Sequence, residues 1–168
     1  MATETILRLP IAVIGIGIPG SGKTTLLEPF SRQNHYIYIC PDNVREELTG
    51  SSKDQSQNPL VWRMCFQGVA ASLQRGISFV FDATFTLPEQ RERIISLSRE
   101  SGVKTIIGVY FNTLLETALN RNAKRDRVVE ESVLKKMHYN LQEFPPKREE
   151  GFDVLLTEKE FIKVNWNY

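Results

Sequence analysis

The chain alternates short, wholly apolar runs with longer segments in which apolar residues recur at helical spacing. Continuous apolar runs rich in β-branched and aromatic residues are typical of buried parallel strands. They predict strands at residues 11–18, 35–40, 78–81, 104–111 and 152–156. The amphipathic segments between them predict helices at residues 23–31, 41–48, 58–75, 86–102, 114–122 and 130–141.

The order of these elements is β-α-β-α-α-β-α-β-α-α-β. This alternation predicts a three-layer α/β fold, in which a mostly parallel sheet carries helices on both faces. In such sheets ligands bind beyond the carboxyl ends of the strands. The functional residues are therefore expected in the loops that follow the strands.

Local signals mark the ends of the longer helices. Asn58 as N-cap and Pro59 at the first helical position open the third helix. Thr86 and Glu89 have the spacing of a capping box for the fourth. Four large apolar residues of the third helix share one face and are expected in the core rather than around a ligand: Trp62, Phe66, Val69 and Leu73.

Length and composition limit the class of protein. At 168 residues with 41% hydrophobic and 24% charged residues, the chain is expected to form one globular domain over residues 1–168. The net charge of +1 excludes nucleic-acid binding by bulk electrostatics, so any phosphate binding must be local. Cys40 and Cys65 do not suffice for a disulfide framework or a zinc site, and buried free thiols are expected.

The apolar run at residues 9–20 is interrupted by glycines and leads into a lysine. It has neither the architecture of a signal peptide nor the length of a membrane span. A cytoplasmic protein without a membrane partner is expected.

Residues 17–24 match the phosphate-loop pattern GxxxxGK[ST], directly after a predicted strand and at the start of a predicted helix. Glycines let backbone N–H groups surround a phosphate, Lys23 reaches the β- and γ-phosphates, and the Thr24 hydroxyl binds Mg²⁺ together with water. A nucleoside triphosphate with Mg²⁺ is therefore the predicted ligand. The ATP-binding residues predicted in this loop are Gly17, Pro19, Gly20, Ser21, Gly22, Lys23, Thr24 and Thr25.

Residues 15–20 also match GxGxxG, with Asp42 near the position of the ribose-binding acid in dinucleotide folds. A simple glycine-rich turn is a further alternative. GxxxxGK[ST] requires more specific residues and occurs less often by chance, so the phosphate loop is the favoured interpretation.

Asp42 and Arg45 stand three residues apart at the start of the helix after the second strand, on one helical face. A carboxylate here could accept a hydroxyl proton, and a guanidinium could hold a phosphate of the acceptor. The alternative is that Asp42 is an N-cap and Arg45 a solvated surface residue.

Two further groups of residues follow predicted strands or link predicted helices. Asp82 and Thr84 come directly after the third strand, where an acid could orient an acceptor or a water bound to Mg²⁺; a turn aspartate is the alternative. Four cations between two helices could form a lid that closes over a transferring phosphoryl group, or could be only a solvated run: Arg121, Lys124, Arg125 and Arg127.

Five motifs together resemble the polynucleotide kinase branch of the P-loop kinases, including the kinase half of the phage T4-type polynucleotide 5′-kinase. They are GxPGSGKTT at 17–25, PDNVR at 41–45, FDAT at 81–84, RNAKR at 121–125 and EGFD at 150–153. The resemblance extends from about residue 11 to residue 155. It departs from the family at the DxTN element, where Phe85 stands in place of the asparagine.

The resemblance implies a P-loop kinase fold with a small helical lid at about residues 121–130, and ATP-dependent phosphorylation of a hydroxyl. Asp42 would be the general base, Arg45 would bind a phosphate of the acceptor, and Asp82 would support that pair. Arg125 would clamp the ATP phosphates, with Arg121 in the same lid. Lys23, Asp42 and Arg125 form the predicted catalytic set, and Arg45, Asp82 and Thr84 the predicted acceptor-binding set.

The leading functional hypothesis is a kinase that uses ATP and Mg²⁺ to phosphorylate a polynucleotide 5′-OH. A P-loop kinase of a nucleoside or another small hydroxyl compound is the first alternative. A module from a different class, which binds ATP to switch a protein partner without phosphorylating an acceptor, is the second.

Overall fold

The computed structural model describes residues 8–166; residues 1–7 and 167–168 of the predicted domain lie outside this range. The strands are β1 (Ile11–Ile16), β2 (Ile37–Ile39), β3 (Phe79–Asp82), β4 (Thr105–Tyr110) and β5 (Val154–Thr157). The helices are α1 (Lys23–Gln33), α2 (Pro41–Thr49), α3 (Asn58–Gln74), α4 (Pro88–Glu100), α5 (Leu115–Asn122), α6 (Glu131–Glu143) and α7 (Glu158–Lys163). A 3₁₀ turn at Arg148–Glu150 precedes β5.

The five strands form one parallel sheet in the order β2-β3-β1-β4-β5. β1 is central, and its register places Gly15 opposite Asp82 of β3. The loops after β1, β2 and β3 therefore emerge side by side at one edge of the sheet. This edge brings the predicted phosphate loop, the start of α2 and Asp82 together.

Alternate side chains of β1 enter two separate hydrophobic cores, one on each face of the sheet. Ala12, Ile14 and Ile16 pack with residues of α3, α4 and α6. Ile11 and Val13 pack with residues of α1 and α7. Helices on both faces explain why the strands are continuously apolar, as the predicted three-layer fold requires.

The predicted caps of two helices are wrong. α3 begins with Asn58 inside the helix and Gln57 as N-cap, because the Asn58 side chain accepts hydrogen bonds from Arg45 instead of capping. α4 begins at Pro88, and Gln90, rather than the predicted Thr86 and Glu89, bonds back to the helix start. In both cases the boundary lies within a few residues of the prediction.

The apolar face predicted for α3 is only partly in the core. Val69 and Leu73 are buried, whereas Trp62 and Phe66 are half-buried and line a surface groove. Both cysteines are free, Cys65 buried and Cys40 half-buried. Burial raises the pKa of these thiols to about 12 and about 11.

Among residues 8–166, no helix has both the length and the apolar character needed to cross a bilayer.

Candidate functional site

The loop between β1 and α1 turns tightly over the carboxyl edge of the sheet. The Gly17 amide donates to the Thr84 carbonyl, 3.0 Å away, and this bond ties the loop to the segment after β3. Gly20 and Gly22 have φ angles of +80° and +98°, which glycine adopts without strain. Gly22 caps α1 without a side-chain hydrogen bond. The first N–H groups of α1 thus remain available for an anion such as phosphate.

Lys23 lies at the first position of α1, and its side chain folds back into the loop. Its Nζ donates to the carbonyl oxygens of Gly17 and Ile18, at 2.9 and 3.0 Å. The residue is only 8% exposed, and this burial lowers the pKa of Lys23 to about 8, against the raising effect of Asp82. The loop therefore places the poorly solvated Lys23 ammonium group where phosphates of a nucleotide would lie.

Asp82 is buried at the end of β3, beside the phosphate loop. One of its oxygens, Oδ2, accepts hydrogen bonds from the hydroxyls of both Thr24 and Tyr38, each at 2.6 Å. Burial, followed by the charge of Asp82, raises the pKa of Tyr38 well above its ordinary value, so Tyr38 stays a donor. A hydroxyl beside a carboxylate is the hard oxygen donor set that suits Mg²⁺. These residues fit the predicted magnesium site.

Asp42 lies in the first turn of α2 and faces three arginines. Its Oδ1 accepts hydrogen bonds from Nη1 of Arg45, at 2.6 Å, and from Nη1 of Arg127. Nη2 of Arg125 lies 3.9 Å from its other oxygen. The N-cap of α2 is Cys40, so the alternative that Asp42 is an N-cap is wrong.

Arg45 is 4% exposed, so the alternative of a solvated surface residue is also wrong. Its Nε and Nη2 both donate to Oδ1 of Asn58, at 3.2 and 2.9 Å. Nη1 contacts Asp42 and, more weakly, the Ser52 carbonyl at 3.4 Å. A guanidinium buried and held in this way has a fixed direction for recognising an anionic group.

The predicted lid corresponds to the end of α5 and the turn that leads into α6. The buried Asn122 side chain closes this turn by bonding both the carbonyl and the amide of Val129, at 2.7 and 3.1 Å. Arg121 lies against the phosphate loop, with Nη1 3.4 Å from the Gly20 carbonyl. Arg125 extends from the same turn toward Asp42.

A cleft of about 590 Å³ joins these groups. Its wall includes residues from the phosphate loop, the strand ends, α2 and the lid, among them Lys23, Asp42, Arg45, Asp82, Thr84 and Arg125. A neighbouring cavity of about 380 Å³ is lined by Thr24, Asp42, Lys124, Arg125 and Arg127. The two spaces meet at Asp42 and Arg125. The structure thus brings the predicted catalytic and acceptor-binding residues to one place.

Two predicted residues have surroundings that the resemblance did not imply. Asp82 was expected to support Asp42 and Arg45, but its hydrogen bonds go to Thr24 and Tyr38. Thr84 lines the cleft, while its carbonyl accepts from Gly17.

Phe85 turns its side chain away from the cleft and into the core. It is 2% exposed, and its ring contacts Phe81 and Trp62 edge to face at 5.2 and 6.3 Å. Its φ of +44° is left-handed, a conformation that asparagine adopts more readily than phenylalanine. The family asparagine at this position is therefore replaced by a residue that stabilises the core.

Three side chains of the site were missed as site residues: Tyr38, Asn58 and Arg127. Tyr38 bonds Asp82 from a position 44 residues away, and Arg127 bonds Asp42 from 85 residues away. No local pattern links such positions. Arg127 was recognised only as one of the lid cations.

Comparisons with known proteins identify a family and a fold. The AAA domain family matches residues 13–144. A chain in the structure of the Pnkp1/Rnl/Hen1 RNA repair complex is 22% identical, with a TM-score of 0.73, and the match covers 91% of this chain and 49% of that one. The chain thus spans about half the length of this relative.

Two small-molecule kinases also have similar structures. A gluconokinase from Sinorhizobium meliloti 1021 is 18% identical, with a TM-score of 0.53, over 89% of this chain and 82% of that one. A shikimate kinase from Acinetobacter baumannii, in complex with shikimate, is 18% identical, with a TM-score of 0.54, over 96% of this chain and 86% of that one. At such identities these likenesses show the fold alone.

Proposed function

The chain belongs to the AAA domain family and has a P-loop kinase fold, and from this premise we propose that it is an ATP- and Mg²⁺-dependent kinase of polynucleotide 5′-hydroxyl groups. One observation carries the proposal. The Asp42 carboxylate, a base that can accept a hydroxyl proton, lines the same cleft as the phosphate-loop lysine and lies among three arginines.

The donor end of the cleft would hold ATP. The glycine loop and the N-terminus of α1 supply N–H groups, and Lys23, Arg121 and Arg125 supply positive charge to its phosphates. Thr24 and, through water, Asp82 would hold Mg²⁺. When bound, this ion would neutralise charge on the β- and γ-phosphates.

In the transfer step, the acceptor hydroxyl would replace one arginine on Asp42 and give its proton to the carboxylate. The hydroxyl oxygen forms a bond to the γ-phosphorus as the bond from this phosphorus to the β-γ bridging oxygen breaks, and ADP leaves. Lys23 and Arg125 would stabilise the negative charge on the transferring group.

The charge of the cleft supports an anionic acceptor. Its lining has five cationic residues, Lys23, Arg45, Lys53, Arg125 and Arg127, against three acidic residues, Asp42, Asp82 and Glu130. Arg45, fixed by Asn58, would bind the phosphate on the 3′ side of the acceptor nucleotide. A nucleoside or sugar without phosphate would offer this buried guanidinium no anionic partner besides Asp42.

A kinase of a small molecule is the second candidate. A cleft of about 590 Å³ lies within the size range of small-molecule sites, and Phe85 offers no amide to the acceptor. A switch module that binds ATP without phosphorylating an acceptor would not need Asp42 in this position.

We also propose that the whole chain is one kinase domain with a lid at about residues 121–130. This domain would act in the cytoplasm, where ATP is available.

Transfer of labelled γ-phosphate tests the proposal. The acceptors are 5′-OH DNA, 5′-OH RNA, nucleosides, gluconate and shikimate, with EDTA and Lys23→Ala as controls. The proposal expects label on the nucleic acids and none in either control. Label on a small alcohol alone would favour the second candidate, and no label with intact ATP binding would favour the switch module.

A further inference from the structure

A groove of about 760 Å³ runs along α3 and α4 beside the acceptor cleft. Its lining includes Asn58, Trp62, Arg63, Phe66, Arg93 and Leu97. Asn58 and Trp62 line the acceptor cleft as well, so the two spaces adjoin at these residues. Asn58 is also the residue that holds Arg45. The groove therefore starts where the phosphate on the 3′ side of the acceptor nucleotide is proposed to bind.

Trp62 lines this groove with a half-buried aromatic ring. Its ring is nearly parallel to that of buried Phe81, with 16° between the planes and 6.1 Å between the centroids. The indole thus packs against the core and also lines the two cavities. A half-buried aromatic ring in the wall of a cavity is a platform on which a nucleobase can stack, whatever the nucleic-acid sequence.

Two cations flank this platform. The Arg93 guanidinium lies 4.5 Å from the centroid of the Phe66 ring, a cation–π contact that orients the group and leaves its N–H edge for other partners. Arg63, one residue after Trp62, is exposed. Within residues 8–166 neither arginine forms an ion pair with a carboxylate.

The spacing of the groove residues matches the path of an extended single strand of nucleic acid. Asn58, Trp62 and Phe66 follow at intervals of four residues on one face of α3. Four residues of an α-helix rise about 6 Å, so these side chains span about 12 Å from the cleft outward. Two aromatic residues, Trp62 and Phe66, and two cations, Arg63 and Arg93, line the groove, a combination found in surfaces that bind single-stranded nucleic acid.

We propose that this groove binds the nucleotide that follows the acceptor nucleotide on its 3′ side, with the base stacked on Trp62 and backbone phosphates at Arg93 and Arg63. The proposal rests on the proposed function, because it specifies how a polynucleotide acceptor differs from a mononucleotide. It makes single-stranded 5′ ends of at least two nucleotides the preferred substrate.

The first test compares acceptors of increasing length. The probes are thymidine 3′-phosphate and 5′-OH oligothymidylates of two to six nucleotides, each assayed for kcat/KM. Base stacking of about 1–3 kcal/mol predicts a rise of about 5- to 150-fold between the mononucleotide and the trinucleotide. Arg93→Glu should reduce this rise, because it places a negative charge beside the proposed backbone phosphate, and should leave the rate with thymidine 3′-phosphate unchanged. Arg75→Glu, the same charge change at the exposed end of α3, should preserve the rise.

The second test measures binding without chemistry. The chain has two tryptophans, so Trp166→Phe leaves Trp62 as the only indole. A 5′-phosphorylated oligothymidylate should quench Trp62 fluorescence in this variant, and Arg93→Glu should weaken the quenching.

Equal kcat/KM for the mononucleotide and the oligonucleotides, without quenching, would overturn the groove proposal but leave a kinase that phosphorylates nucleotides intact. The groove would then be a candidate for a protein partner. If neither thymidine 3′-phosphate nor any oligonucleotide is phosphorylated, the proposed function fails, and the groove proposal fails with it.

Discussion

Replacing Lys23 by methionine should stabilise the ligand-free protein while abolishing ATP binding. Methionine has a similar length and no charge, so it fills the same space in the loop without the unfavourable burial of an ammonium group. Lys23 is 8% exposed, and its pKa is lowered from 10.5 to about 8, chiefly by this burial. The folded protein therefore binds the Lys23 proton less tightly than the unfolded chain does.

This difference gives both the size and the pH dependence of the effect. At about 1.4 kcal/mol per pH unit, a pKa of about 8 instead of 10.5 costs about 3 kcal/mol of stability below pH 8. Stability is regained as the pH rises from about 8 to 10.5, because the folded state loses the proton first. Methionine removes this cost but also removes the hydrogen bonds to Gly17 and Ile18, each worth about 1 kcal/mol. A net gain of about 1 kcal/mol is expected at pH 6.5.

Urea unfolding of both proteins at pH 6.5 and pH 9.5 measures the effect. Other titrating groups are common to both proteins, so the change in their stability difference isolates Lys23. The advantage of Lys23→Met should fall by about 2 kcal/mol between the two pH values. A stability difference between the two proteins that does not change with pH would mean that the loop does not bury a poorly solvated ammonium group.

Three further predictions concern the acceptor, the metal site and the core. Arg45→Ala should reduce the preference for a nucleoside 3′-phosphate over the nucleoside by about 10- to 100-fold, the worth of a charged hydrogen bond, in kcat/KM measurements. Tyr38→Phe removes one donor from Asp82 and should shift the Mg²⁺ concentration for half-maximal transfer by about 2- to 10-fold. Phe85→Ala should cost about 3–5 kcal/mol of unfolding free energy in urea, because the ring is fully packed.

Each of these predictions has a contrary result. An unchanged preference in Arg45→Ala would mean that the guanidinium does not contact the acceptor. An unchanged Mg²⁺ requirement in Tyr38→Phe would mean that Asp82 does not take part in the metal site. A loss below about 1 kcal/mol in Phe85→Ala would mean that the ring contributes little to the packing of the core.

Much of the fold could be predicted because its signals are local. The apolar run of β1, the glycines after it and the start of α1 at Lys23 all lie within a few neighbouring residues, and the predicted P-loop kinase fold is confirmed. The strand order β2-β3-β1-β4-β5 was not predicted, because the alternation of elements does not specify which strands are neighbours. Helix α7 was missed although Thr157 and Glu160 have capping-box spacing before it.

The site was predicted as a set of residues but not as a set of contacts. Asn58 was predicted as a cap from its position alone. In the structure Arg45, 13 residues earlier, donates a hydrogen bond to its side-chain oxygen. Arg91 is fully buried and pairs with Glu150, 59 residues away, which no sequence pattern signals. Long-range pairs of this kind depend on the packing of the whole sheet. The catalytic roles of the site residues remain predictions.

The role of Asp42 as general base is tested most directly by measuring both phosphoryl transfer and ATP binding of Asp42→Asn. A general base acts on the acceptor proton and contributes little to the binding of ATP. Calorimetry should give an ATP affinity close to that of the parent, whereas transfer to a 5′-OH oligonucleotide should fall by about 100-fold or more. Transfer at the parental rate would contradict the assignment of Asp42 as the base.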